Sequence, residues 1–142
     1  TLSLHDALPI YNQSHGPRNT THPEEIAMNW YLKAMKQYVD FSGRARRKEY
    51  WMYFLVYFLI TLVCGVVEGV LSMPGTLTTI VALVHLLPSL GVTARRLHDT
   101  NRSAWWMLVS FIPVIGWLVL PYFMLNAGDA QDNRFGSNPK TA

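Results

Sequence analysis

A single cysteine, Cys64, leaves this sequence without the means for an intramolecular disulfide or a thiolate zinc cluster. Charge is scarce too. Only 15% of the residues are Asp, Glu, Lys or Arg, against about a quarter in an ordinary soluble domain. Half of the 142 residues are apolar, which excludes a disordered chain. No Gly-rich phosphate loop, nucleophile elbow, HExxH or paired-cysteine pattern occurs, so no catalytic residue, metal or cofactor is expected. A nucleic-acid surface would interleave basic residues with stacking aromatics. Here Trp30, Tyr50, Trp51, Trp105 and Trp106 fall at the edges of apolar runs instead, and no nucleic-acid partner is expected.

What is present is arranged in blocks. Charges cluster at residues 33–49, 95–102 and 129–140, with almost uncharged chain between them. That pattern belongs to a membrane protein, and the length allows one domain. The net charge of +3 is also uneven: residues 1–27 carry a net −2, and the chain from Met28 onward a net +5. The opening TLSLHDALPI resembles a translated sequencing adapter, and the next seventeen residues resemble translated upstream DNA. Residues 1–27 have no basic region followed by an apolar one, so they are not a secretory signal. Thr1–Ala27 is therefore expected to be a non-native or disordered leader, with the natural protein starting at Met28 and residues 28–142 forming one membrane domain.

Three spans are expected. Residues 50–72 open with eighteen uncharged residues from Tyr50 to Val67, close to the ~20 needed to cross ~30 Å of hydrocarbon. Glu68 then falls at the far interface, where water is within reach. Ser72-Met73-Pro74-Gly75 is a turn signal. Residues 76–94 form a second, weaker span with His85 and Pro88 inside it and with Ser89, Gly91 and Ala94 suited to close helix contact. Residues 103–126 read as a single crossing, kinked at Pro113 and Gly116; a Pro/Gly-broken hairpin, giving four spans, is the alternative. Residues 127–142 are a polar tail. Ahead of the spans, residues 28–41 read as an interfacial amphipathic helix with Tyr31, Leu32, Met35, Tyr38 and Val39 on one face. Ser42 is a plausible N-cap for the helix that follows.

From Met28 onward, nine Lys and Arg lie before the first span or between the second and third, against two in the tail and none in the 72–75 turn. That asymmetry predicts a cytoplasmic N-terminus and, with three crossings, an external tail.

Two polar constellations, DFSGRARRKEYW at 40–51 and ARRLHDTNRSAWW at 94–106, together with the tail NAGDAQDNRFGSNP, resemble domain of unknown function family 805, small bacterial inner-membrane proteins of the YhaH/YhaI type. The likeness runs from Met28 to Pro139. It implies an all-α integral membrane protein of the bacterial inner membrane and no established reaction.

Arg44, Arg46, Arg47 and Lys48, with Arg95, Arg96 and Arg102, form two cationic clusters expected at one membrane face, as topology determinants or as contacts for anionic lipid or phosphate. His98 and Asp99, being adjacent, point about 100° apart on a helix and make no ready dyad; Asp99 is expected to pair Arg95 or Arg96. Glu68 and His85 are the ionisable residues in or near the spans. The function expected is a non-enzymatic structural or interaction role, through helix packing with itself or a membrane partner and through anionic lipid. The alternatives are a subunit of an oligomeric solute or ion transporter and lipid-headgroup chemistry at His98 and Asp99.

Overall fold

A computed structural model describes residues 22–141, and among them every regular element is helical. Helix α1 spans Pro23–Lys36, α2 Arg47–Val70 and α3 Thr76–Asp99; a 3₁₀ helix, Ala104–Phe111, is followed by α4, Ile115–Leu125. Burial is inverted relative to a water-soluble domain. Arg96 and Asp99 are 0% and 2% exposed, whereas Phe58, Leu83 and Phe111 are 62%, 67% and 81% exposed. Apolar side chains outside and charges inside place the helices in lipid, where burying the greasy faces against protein is unnecessary.

Helices α2 and α3 contain 24 residues each, about 36 Å at 1.5 Å per residue. They are joined by the expected turn, in which Gly75 adopts φ +80°. Glu68 holds that end together. Its carboxylate accepts from the backbone amides of Leu77 and Thr78 and from the Thr78 hydroxyl, at 2.8 Å for the last, so it caps the N-terminus of α3.

Of the expected leader, residues 1–21 lie outside the described residues, and Pro23–Ala27 open α1. The amphipathic helix therefore runs from Pro23 to Lys36 rather than over 28–41. Proline at its start, Glu24 and Glu25 in the first turn and Lys33 and Lys36 in the last all suit the helix dipole. Ala34, Tyr31 and Met35 pack against Ala45, Tyr53 and Val92, while Leu32, Tyr38 and Val39 stay exposed. Ser42 does not cap α2, which starts at Arg47; its amide and hydroxyl bond Asp40 Oδ1 at 3.0 and 2.6 Å in a local turn. Within α3, Gly91 admits the 37–40 loop: a Cβ there would lie 3.4 Å from the carbonyl oxygens of Gln37 and Tyr38.

The third expected span, residues 103–126, is not one continuous helix. The 3₁₀ helix of eight residues and α4 of eleven are each about 16 Å long, half of a bilayer core. They fold back on each other. The reversal is a γ-turn: Val114 has φ +66° and ψ −56°, and the Ile115 amide donates to the Pro113 carbonyl at 2.8 Å. Gly116 permits the close approach, since a Cβ would overlap the Val109 carbonyl and stand 2.7 Å from Ser110 Cα. The amides of Ile112 and Gly116 find the Val109 and Ile112 carbonyls at 3.0 and 2.9 Å, the internal satisfaction that irregular backbone needs away from water. As a result the tail does not leave at the far end of the molecule. It returns to the end that holds the C-terminus of α3.

Candidate functional site

That end carries the polar core. Four stretches of chain meet there: the loop 43–46 before α2, the last turn of α3, the end of α4 and the tail. Asp99 is the centre. Its Oδ1 accepts from Arg44 Nε at 3.0 Å and its Oδ2 from Arg96 Nη1, with all three side chains no more than 3% exposed. The remaining guanidinium hydrogens go to backbone. Arg44 donates to the carbonyls of Asp129 at 2.6 Å and Gln131 at 2.8 Å; Arg96 donates to Met124 at 3.2 Å and to Asn126. The Asp129 amide closes the ring on the Asp99 carbonyl at 2.8 Å, and the Ala45 amide takes the Arg95 carbonyl at 2.9 Å. Carbonyls freed at the end of a helix are thus satisfied by other segments rather than by water.

His98 takes separate partners. Its Nδ1 stands 3.0 Å from the Gly43 carbonyl, which only accepts, so Nδ1 carries the proton. Its ring stacks on Phe135 with centroids 3.9 Å apart. Asn133 bridges the His98 carbonyl and Asp129 Oδ2, both at 2.9 Å. His98 and Asp99 are brought to one place without forming a pair.

A second cluster lies beside the first. Glu49, 1% exposed, accepts from Lys33 at 2.8 Å. Arg95 Nη2 approaches its other oxygen at 3.3 Å, within ion-pair reach but off hydrogen-bond alignment, and Arg95 Nη1 donates to Gln37 at 2.6 Å. In the loop above, the bond from the Ser42 hydroxyl holds the Asp40 carboxyl below its ordinary range, against the opposing effect of burial.

The seven expected cations therefore divide. Arg44, Arg95 and Arg96 turn inward, which removes them from the surface presented to phosphate; Arg44 and Arg96 spend their donors on protein groups, whereas Arg95 Nε and Nη2 make no hydrogen bond. Arg46 lies over the Trp30 ring at 5.7 Å and Arg102 over Phe123 at 4.1 Å. Arg47 and Lys48 are exposed at the start of α2, and Arg47 also donates to the Leu125 carbonyl at 3.2 Å. Glu68 is at the other end, capping α3. His85 is buried between them: Nδ1 donates to the Val81 carbonyl at 2.7 Å, Nε2 accepts from the Tyr31 hydroxyl at 2.8 Å, and Tyr57 stacks at 4.5 Å. Tyr53 bonds the His85 carbonyl at 3.2 Å and the Ser89 hydroxyl at 3.0 Å, one turn around Pro88.

Glu49, expected from sequence to pair with a neighbouring arginine, meets Arg95 here; Phe135, Asn133 and the carbonyls of 124–136 complete the site without having been marked as parts of it by sequence. The turn-forming composition of the tail was the available signal. No three His, Cys, Asp or Glu come together among the described residues. Chemically the arrangement is a clasp: it fixes chain segments to one another and leaves no carboxylate–imidazole pair facing an opening.

The family model described as "Protein of unknown function (DUF805)" matches residues 38–137. The chain is 51% identical over 118 residues to "Inner membrane protein YhaH" of Escherichia coli K12, covering 80% of this chain and 98% of that one. It is 46% identical over 114 residues to "Inner membrane protein YhaI" of the same organism, covering 80% and 97%. "Uncharacterized protein YiiR" is 33% identical over 82 residues, 57% of this chain and 53% of that one. No solved structure matches.

Proposed function

The chain belongs to the DUF805 family of inner-membrane proteins, and from that premise we propose a non-enzymatic, multi-pass protein that works by helix packing and by contact with anionic lipid at the cytoplasmic face. Helices α2 and α3 cross the bilayer, and the 3₁₀ helix with α4 enters from the cytoplasmic side and returns to it. The N-terminal helix and the tail then share that side. The observation that carries this reading is the clasp, in which Arg44 before α2, Arg96 and Asp99 at the end of α3, and the tail carbonyls converge on one end. With the tail returned, all eleven Lys and Arg from Met28 onward lie at that end, and the turn 72–75 has none. Such a bias favours cytoplasmic retention. The exposed apolar faces of α2 and α3 are the surfaces through which the chain would pack with a second copy or a membrane partner; crosslinking in native membranes that yields only monomers counts against that part.

Topology tests the rest. In a Cys64→Ser background, Ser72→Cys reacts with a membrane-impermeant maleimide in intact cells, and Ser42→Cys and Ser137→Cys react only after the membrane is opened. Labelling of Ser137→Cys from outside refutes the returning hairpin.

A further inference from the structure

We propose that the groove between the first two turns of α2 and α4 seats one acyl chain of an anionic glycerophospholipid, with its phosphate against Arg47 and Lys48. This rests on the anionic-lipid reading above and narrows it to one place. The groove holds about 450 Å³ and is walled by Tyr50, Trp51 and Phe54 from α2 and by Gly116, Trp117 and Leu120 from α4. It exists because α4 packs back on the 3₁₀ helix and leaves this flank of α2 uncovered.

Charge and apolar lining are stacked in the right order. Arg47 precedes Tyr50 by three residues and Trp51 by four, and Lys48 precedes Trp51 by three, so both cations stand over the groove's aromatic wall. Arg47 further joins the Leu125 carbonyl at the end of α4, which places its guanidinium at the polar mouth, between the two walls. Glu49, the carboxylate between these cations' neighbours, is buried against Lys33 and Arg95 and does not cancel them. The depth also fits. Helix α4 is about 16 Å long, close to the half-thickness of about 15 Å that one leaflet's chains occupy.

A peptide is the poorer occupant. Its backbone amides and carbonyls would need partners, and apart from ring tips the groove offers the Ser110 hydroxyl. A hydrocarbon chain has no such requirement.

The test uses the full chain in detergent, with palmitoyl-oleoyl phosphatidylglycerol or phosphatidylcholine added and retained lipid counted by native mass spectrometry. The wild type is expected to hold phosphatidylglycerol about thirtyfold better, the order that two interfacial cations supply. Lys48→Gln, which leaves the Arg47–Leu125 bond in place, cuts that preference several-fold, and Arg47→Gln/Lys48→Gln abolishes it. Leu120→Trp, which fills the groove, loses both lipids. Equal retention of the two lipids by the wild type overturns the proposal and the anionic-lipid reading together. A Leu120→Trp protein that keeps the wild-type preference, while the double variant loses it, overturns the groove and leaves the broader reading standing. An independent check needs no bulky variant: brominated phosphatidylglycerol in vesicles quenches the wild type more than Trp117→Phe. Equal quenching of the two proteins overturns the seat at α4.

Discussion

Arg44 and Asp99 stand 55 residues apart in sequence and 3.0 Å apart in space, guanidinium Nε against carboxylate Oδ1. One contact thereby ties the approach to α2 to the exit of α3. Because Arg96 takes the other oxygen, a single carboxylate balances two buried cations. Replacing it by Asn leaves both guanidiniums buried without a counter-charge, at a cost of roughly 3–5 kcal/mol. Asp99→Asn is therefore expected to lower the unfolding temperature in detergent sharply and to reduce protein level in cells. Glu25→Gln, on the exposed side of α1, should change neither. Similar unfolding temperatures for the two variants would contradict the clasp.

Gly128 touches the same carboxylate. A Cβ there would overlap Asp99 Oδ2 and lie 2.8 Å from Oδ1, and the carboxylate cannot swing away without releasing an arginine. Gly128→Ala should cost about 1–3 kcal/mol. In an Asp99→Ala background the same change should cost little, so a double-mutant cycle is expected to show coupling of about 1 kcal/mol or more. Additive effects would mean that the tail glycine and Asp99 do not meet.

The hairpin apex makes an opposite pair of predictions at one position. Val114, a β-branched residue at φ +66°, sits where L side chains are strained and glycine is not. Val114→Gly is expected to hold or raise thermal stability by up to about 1 kcal/mol. Val114→Pro forces φ to about −65° and should cost on the order of 3 kcal/mol. In a single straight crossing Val114→Gly would instead cost about 1 kcal/mol, as glycine does inside a helix, so a clear loss of stability on Val114→Gly would contradict the turn.

At the other end of α3, Glu68→Ala removes the acceptor shared by Leu77, Thr78 and the Thr78 hydroxyl. The loss is expected to be about 1–2 kcal/mol, as for other N-cap removals. The two ends of this 24-residue helix are about 36 Å apart, so Glu68→Ala and Gly128→Ala should add without coupling when unfolding is followed in the double variant.

Much of this architecture was legible. Eighteen uncharged residues from Tyr50 and nineteen after Gly75, with Ser-Met-Pro-Gly between the two stretches, yield α2, the turn and α3, because length and hydropathy decide a span locally. Helical spacing offered Asp99 two partners, Arg95 and Arg96, and the structure pairs it with Arg96. The hairpin did not follow. Pro113 and Gly116 suit a kinked crossing and a reversal equally well, and the deciding feature is a non-local one, the approach of Gly116 to the backbone of Val109 and Ser110. The inward turn of Arg44 was hidden for a related reason. Its acceptors are main-chain carbonyls of Asp129 and Gln131, and every residue type carries one. The start of α1 was marked by Pro23, Glu24 and Glu25, a helix-opening signature set aside with the leader to which those residues were assigned.

The turn at Pro113–Ile115 also gives the molecule a taper. In the topology proposed above, four helical pieces share the half of the bilayer beside the arginines, and two continue into the other half. A body of that shape displaces more lipid area from one monolayer than from its opposite, so it relaxes best where the membrane already bends or where its neighbours taper the other way.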